Sequence, residues 1–112
     1  DSATNNVAQA LQVQKMNQKR PAIAEIIELL GKKWVMRIIW ELRSGPLTFR
    51  ELQAACGDIS PTTLNSRLKL LKHSLLVENQ DSQGYGLSPL GEELLEIYQP
   101  LKGWAIKWQK RL

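Results

Sequence analysis

The stretch that decides the fold is Thr48 to Leu87, TFRELQAACGDISPTTLNSRLKLLKHSLLVENQDSQGYGL. It opens with a capping-box pattern, in which the Thr48 hydroxyl and the carboxylate of Glu51 satisfy backbone donors at the start of a helix. After a short turn, Ser60 is a good N-cap, and Pro61 suits the first helical position because its missing N–H costs nothing there. Two helices joined by a tight turn are therefore expected.

The second of these helices is predicted to have one apolar and one polar face. Leucines recur every third or fourth residue, the spacing of one helix face: Leu64, Leu68, Leu71 and Leu75. The opposite face is small, polar and basic, carrying Thr62, Ser66, Lys69 and His73. A helix, a turn and a second helix with such an outer face are what reading a DNA groove requires.

A hairpin is predicted directly after the helix pair. Leu76–Asn79 and Tyr85–Leu87 read as short strands, separated by the polar loop Gln80–Gly84. The fold class indicated is mainly α with a small β-hairpin wing, a winged helix-turn-helix.

Composition narrows the function without deciding it. With 112 residues and 43% hydrophobic content, the chain supports one domain with a modest core. The net charge of +4 and the pI of about 9.4 favour an anionic partner. One cysteine and one histidine leave no metal-ligand set of the usual type, so no metal or cofactor is expected. The apolar runs are too short to span a bilayer, which predicts no membrane association and a cytoplasmic location.

Flanking helices complete the predicted architecture, a single domain over 1–112. It divides into an N-terminal dimerisation arm at 1–20, a winged-helix core at 21–88 and a C-terminal dimerisation helix at 89–112. A core helix should begin at Pro21 and close with Gly31 in the C′ position. The next helix should bury Trp34, Val35, Ile38, Ile39 and Leu42. In the last helix Pro100 should introduce a kink without ending it, since the apolar spacing continues beyond it.

An apolar ridge near the end of the chain is the second informative pattern. Its members follow one another at helical spacing: Ile97, Leu101, Trp104, Trp108 and Leu112. The two tryptophans either fold back onto the domain's own core or form a subunit interface, where Trp is enriched. In a symmetric dimer, the thin stripe of Val7 and Leu11 in the N-terminal helix would gain a partner in the same interface.

The ordered set of motifs resembles the HxlR-type winged-helix transcriptional regulators, from about Pro21 to Trp108. The motifs are LGKKW at 30–34, GPLTFREL at 45–52, ISPTTLNSRL at 59–68, LVE at 76–78 and YGLSPLG at 85–91. The resemblance implies a bacterial or archaeal repressor or activator that binds double-stranded operator DNA as a homodimer through its terminal helices. It also allows a small-molecule effector as a further partner.

The chain departs from the family pattern at two places. Many members carry a cysteine directly before the proline that starts this region, where some use it as a thiol sensor, and here the residue is Arg20. The family's wing is usually longer and basic, whereas the loop Gln80–Gly84 has one acid and no basic residue. The second helix of the pair, which begins at Pro61 and is the recognition helix of such a fold, should therefore carry more of the phosphate binding.

Candidate DNA contacts follow from the helix period. Asn can pair bidentately with adenine, and Thr methyls can meet thymine methyls; the helix N-terminus also offers backbone N–H groups to a phosphate. The candidates on the recognition helix are Ser60, Thr62, Thr63, Asn65, Ser66, Arg67 and Lys69. Candidate contacts from elsewhere, to the DNA backbone or from the wing, are Lys33, Arg50, Lys72 and Gln83. Each of these is otherwise simply a solvated side chain.

Several residues keep two readings. Arg67, beside the buried stripe, either reaches a phosphate or braces the helix through an ion pair with Glu51 or Glu78. Cys56 is either a small packed residue or a reactive thiol, and Tyr85 either anchors the wing or touches the minor groove.

The main functional alternative is a winged helix used for protein contact, which an apolar patch along Thr62 to Lys72 would indicate. An enzyme is disfavoured because the sequence pairs no nucleophile with a base.

Overall fold

In the computed structural model, the residues described are Val7 and 20–112. Val7 is helical and exposed, whereas Leu11 and the rest of the predicted arm up to residue 19 lie outside the described residues. The chain divides into two compact units, Asp1–Lys32 and Lys33–Leu112, and each is considered by itself. This division does not coincide with the boundary expected after residue 20, and the expectation of a single domain stays a prediction.

The first unit contains one described helix, α1 (Ala22–Leu30). Pro21 precedes it as the N-cap residue, and Arg20 forms an ion pair with Glu28. Gly31 was expected at C′, and it lies one position earlier, as the C-cap residue, with a right-handed φ of −77° and ψ of −13°. The helix contains no buried residue.

The second unit holds the winged helix-turn-helix. Its elements in chain order are α2 (Val35–Glu41), a 3-10 turn (Leu42–Ser44), α3 (Phe49–Ala55), α4 (Pro61–His73), β1 (Val77–Asn79), a second 3-10 turn (Asp81–Gln83), β2 (Tyr85–Leu87) and α5 (Pro89–Lys110). The two strands pair antiparallel, with Val77 opposite Leu87 and Asn79 opposite Tyr85. The predicted fold class and hairpin are confirmed.

The core of this unit is apolar and lies where α2, α3, α4 and the hairpin meet. Its fully buried side chains are Val35, Ile38, Ile39, Leu42, Leu52, Leu64, Leu68 and Leu71. Burying a side chain of this kind contributes about 1.5 to 3 kcal/mol, so this cluster holds α4 in place. Trp34 was predicted to be buried inside the second core helix. It is instead half-buried and precedes α2 as the N-cap, with a left-handed φ of 78°.

The end of α4 differs from its predicted pattern at Leu75. The helix stops at His73, and Leu75 adopts a φ of 65°. The N–H of Leu76 bonds to the Leu71 carbonyl and that of Leu75 to the Lys72 carbonyl, at 3.0 and 3.1 Å, the two bonds of a Schellman motif. The left-handed turn takes the Leu75 side chain off the buried stripe and leaves it 68% exposed. Its predicted place in the core was therefore wrong.

The start of α5 is locked against the end of α4. Ser88 is buried, donates its hydroxyl to the Leu75 carbonyl at 2.6 Å and accepts the Gly91 N–H at 3.0 Å. A Cβ on Gly91 would lie 2.2 Å from the Leu76 carbonyl oxygen, so only glycine allows this approach. The helix then runs through Pro100 to Lys110, as expected from the spacing.

Candidate nucleic-acid interface

The N-terminus of α4 is capped by its own side chains. The Ser60 hydroxyl accepts the Thr63 N–H at 3.1 Å and donates to the Thr63 hydroxyl at 2.9 Å. These bonds fix the first turn of the helix and occupy one of the N–H groups that the sequence offered to a phosphate. A cap of this kind contributes about 1 kcal/mol, and it presents the first turn in one conformation.

The faces of α4 are cleanly divided. Leu64, Leu68 and Leu71 are between 0% and 1% exposed, and within Pro61–His73 none of the leucines is exposed. The exposed face is polar or basic, and it brings together Thr62, Asn65, Ser66, Lys69 and His73. The apolar patch that would indicate protein contact is not found along this face of α4.

Arg67 braces α4 through a backbone carbonyl. Its Nε donates to the Lys33 carbonyl oxygen at 2.8 Å, at the residue before the left-handed Trp34. The sequence predicted Glu51 or Glu78 as the bracing partner of Arg67, and this was wrong because the observed partner is the Lys33 carbonyl. Arg67 is half-buried beside the leucine stripe. Its bond to Lys33 joins α4 to the turn that precedes α2.

Lys33 lies at the same turn and is exposed. Its Nζ is 5.7 Å from the centroid of the Trp34 ring, a cation–π distance. The lysine carbonyl is therefore directed at α4, while its ammonium group rests over an indole near the surface. The sequence does not reveal this turn, because a left-handed backbone is uncommon for tryptophan and no glycine marks the position.

The wing is anchored through the backbone of Tyr85. Its N–H bonds to the Leu47 carbonyl at 2.8 Å, and its carbonyl accepts the Leu47 N–H at 2.9 Å. The ring lies 5.5 Å from the Nζ of Lys72 on α4, so one residue connects the hairpin to both α4 and the segment before α3. The anchoring reading of Tyr85 is confirmed. Gln83 is exposed in the 3-10 turn at the wing tip.

The start of α3 is fixed by its own capping box. Both bonds of the capping box form: the Thr48 N–H donates to the Glu51 carboxylate at 2.9 Å, and the Glu51 N–H donates to the Thr48 hydroxyl at 3.2 Å. The first of these bonds lowers the pKa of Glu51. Arg50 is exposed in the first turn of this helix. After the helix, Cys56 is 3% exposed, and burial raises the pKa of its thiol, which supports the packed reading.

The apolar ridge of α5 lies at the surface. Trp104 and Trp108 are 57% and 52% exposed, and their rings stack on each other at 6.4 Å with an interplanar angle of 13°. Ile97 and Leu101 are also exposed, at 67% and 49%. The tryptophans therefore do not fold back onto the core of their own unit.

The described residues contain neither a candidate metal site nor a candidate membrane-spanning helix. Among residues 20–112 and Val7, no three potential metal ligands of the His, Cys, Asp or Glu type come together. None of the helices described combines the length and apolar character needed to cross a membrane.

Comparison with known proteins defines the class of this chain. Residues 29–112 match the family described as HxlR-like helix-turn-helix. The chain therefore belongs to the HxlR family of DNA-binding transcriptional regulators, and the resemblance found in its motifs is confirmed.

Particular relatives share most of its length. The HTH-type transcriptional regulator YvaP of Bacillus subtilis is 30% identical over 101 residues, which cover 83% of this chain and 94% of that protein. The crystal structure of quinone-bound YodB from B. subtilis is 34% identical with a TM-score of 0.73, covering 78% of this chain and 98% of that one. The structure of a possible HxlR family transcriptional factor from Thermoplasma volcanium has a TM-score of 0.65 at 31% identity, with 76% and 82% covered.

Proposed function

We propose that this protein regulates transcription by binding an operator as a homodimer, with α4 of each subunit in the major groove. The observation that carries the proposal is the division of α4 into a fully buried leucine face and an exposed face of small polar and basic side chains. A helix of this shape fits a groove about 12 Å wide. We also propose a cytoplasmic location, where a regulator of this kind would meet its operator DNA.

We divide the candidate contact residues into a base-reading group and a phosphate-binding group. Thr62, Asn65 and Ser66 have short side chains on the exposed face, so they read base edges in the groove. The residues assigned to phosphates or to backbone positioning are Ser60, Thr63, Lys69, Lys72, Lys33 and Arg50, with Gln83 reaching from the wing. Arg67 was a candidate contact as well, and its bond to the Lys33 carbonyl supports a positioning role for it.

The homodimer is supported by the exposed ridge of α5. Two stacked indoles with Ile97 and Leu101 form an apolar surface, and a second copy of the same ridge is a partner of matching chemistry. Val7 and Leu11 are proposed to extend this interface from the N-terminal arm. Dimerisation would set two α4 helices about 34 Å apart, one turn of DNA.

A small-molecule effector of this regulator should act without a thiol at residue 20. The similar YodB structure is quinone-bound, and in this chain Arg20 stands where many family members have cysteine. Cys56 is buried with a raised pKa, so the thiolate that would react is disfavoured. We therefore propose that a small-molecule effector binds non-covalently.

The test is selection of preferred duplexes from a random library, followed by titration of parent and variants. Asn65→Ala and Ser66→Ala should change which bases are preferred and leave the free energy of unfolding within about 0.5 kcal/mol. Glu93→Ala, at an exposed position of α5, is the control and should keep the parent preference. If both α4 variants select the same sequences as the parent, α4 does not read the bases.

A further inference from the structure

Trp40 on α2 has two cations over its ring. The Lys102 Nζ lies 3.9 Å from the ring centroid, and the Arg43 guanidinium carbon lies 4.2 Å from it. Arg43 is held there, because its Nη1 also donates to the Trp40 carbonyl at 2.9 Å. The indole is half-buried on α2, and its ring faces Lys102 of α5.

Lys102 lies on the part of α5 that has little other support. Side chains from Leu94 to Tyr98 include half-buried members, but every side chain from Gln99 to Leu112 is exposed. Pro100 cannot donate the hydrogen bond that a helix interior requires, and prolines are where helices bend. Lys102 follows this point within one turn, and through Trp40 it contacts α2, which belongs to the buried core of the same unit.

We infer that the Trp40–Lys102 contact sets the direction in which the ridge of α5 leaves the domain, and through it the spacing of the two half-sites that the dimer prefers. This inference rests on the proposed function, since the ridge must join two subunits for its direction to matter. The ridge residues Leu101, Trp104 and Trp108 lie in the same stretch of helix as Lys102. A change in the angle of this stretch would therefore move the partner's recognition helix.

The contact between Lys102 and Trp40 is a weak interaction, as exposed cation–π contacts are. Lys102 is exposed, so water screens its charge, and its loss should leave the fold and the apolar ridge intact. Loss of the contact would instead let the part of α5 beyond Pro100 take a wider range of directions. Lys102 is thus a positioning residue for DNA recognition, without itself touching the duplex.

The experiment measures binding of the full chain to duplexes that carry two selected half-sites with the spacing varied one base pair at a time. For Lys102→Met, the ratio of affinities between the best and the neighbouring spacings should fall by about two- to fivefold, the range expected from one exposed cation–π contact. Lys102→Arg should retain the parent ratio, because arginine also binds aromatic faces. Lys107→Met, an exposed lysine further along α5, is the matched control and should also retain it.

Two further readouts separate positioning from other roles. The dependence of affinity on salt at the best spacing should be unchanged in Lys102→Met, whereas loss of a phosphate contact would reduce its slope. The dimer dissociation constant should be unchanged as well. A parent spacing preference that Lys102→Met fully retains would overturn this inference alone. A parent dimer that binds all spacings equally would likewise overturn the inference and leave the dimer standing. A parent chain that is monomeric would overturn both the inference and the proposed dimer.

Discussion

The helices α4 and α5 begin in the same way and end in different surroundings. Each starts with a serine N-cap and a proline, at Ser60 and at Ser88, and each cap bond forms. The leucine stripe of α4 is at most 1% exposed from Leu64 to Leu71, whereas the ridge of α5 is 49% exposed at its most covered member, Leu101. Helical spacing thus identifies an apolar face, and only tertiary structure shows what covers it.

The largest effect should come from the buried stripe. Truncation of Leu68 to alanine should lower the free energy of unfolding by about 2 to 5 kcal/mol, because it removes a fully buried side chain and leaves a cavity. Chemical denaturation at micromolar concentration measures the change. Leu101→Ala on α5 is the control in a half-exposed position, and it should cost less than about 1 kcal/mol in a monomeric background.

Equal losses for the two leucines would break the distinction between the helices. They would mean that the ridge is as well packed within one subunit as the leucine stripe is. A small loss at Leu68 would instead show that the core relaxes around the cavity.

The ridge itself is tested by a double substitution, Trp104→Ala with Trp108→Ala. Removal of two aromatic anchors from an interface should weaken the dimer by at least about 2 kcal/mol, roughly thirtyfold in the dissociation constant. Light scattering across a concentration series measures the mass. Circular dichroism checks that the variant keeps its helices, since exposed side chains contribute little to the fold of one subunit.

A parent chain that remains monomeric at high concentration would remove the ridge as a subunit interface. A double variant that dimerises as tightly as the parent would move the interface elsewhere on the chain. Either result would leave the comparison of burial between α4 and α5 standing, but would change its functional meaning.

Within α4, Lys69 and Arg67 should differ in how they affect DNA binding. Lys69 is exposed, so Lys69→Ala should cost about 1 kcal/mol on specific and random duplexes alike and lower the salt slope by about 1. Arg67 donates to the Lys33 carbonyl, so Arg67→Met should lower both stability and affinity while leaving the salt slope unchanged. Affinity measured at several salt concentrations, with thermal melting, separates the two.

A reduced salt slope for Arg67→Met at unchanged stability would identify Arg67 as a phosphate ligand. The bond to Lys33 would then be incidental to its role. An unchanged slope for Lys69→Ala would remove Lys69 from the phosphate contacts.

Local signals in the sequence predicted local structure well. The caps at Thr48, Ser60 and Ser88 could be identified because a cap depends on residues within one turn. The left-handed backbone at Trp34 could not, because no glycine marks it and the bond that braces it comes from Arg67, far along the chain. The contact of Trp40 with Lys102 was missed for the same reason. Of the candidate site, the exposed face of α4 followed from its period, and the bracing partner of Arg67 did not.

The smallest expected effect on stability concerns Leu75, which was predicted in the leucine stripe but lies outside it. Leu75 is 68% exposed with a φ of 65°, and an L-residue in the left-handed region costs about 1 to 2 kcal/mol. Glycine adopts this conformation freely, although its more flexible unfolded chain offsets part of the gain. Leu75→Gly should therefore stabilise the protein by about 0.5 kcal/mol, in contrast to the large loss at Leu68. Leu75→Ala removes the same side chain but keeps the strain, so its denaturation midpoint should not rise. Equal midpoints for the glycine and alanine variants would show that backbone strain at Leu75 is not what separates it from the rest of the stripe.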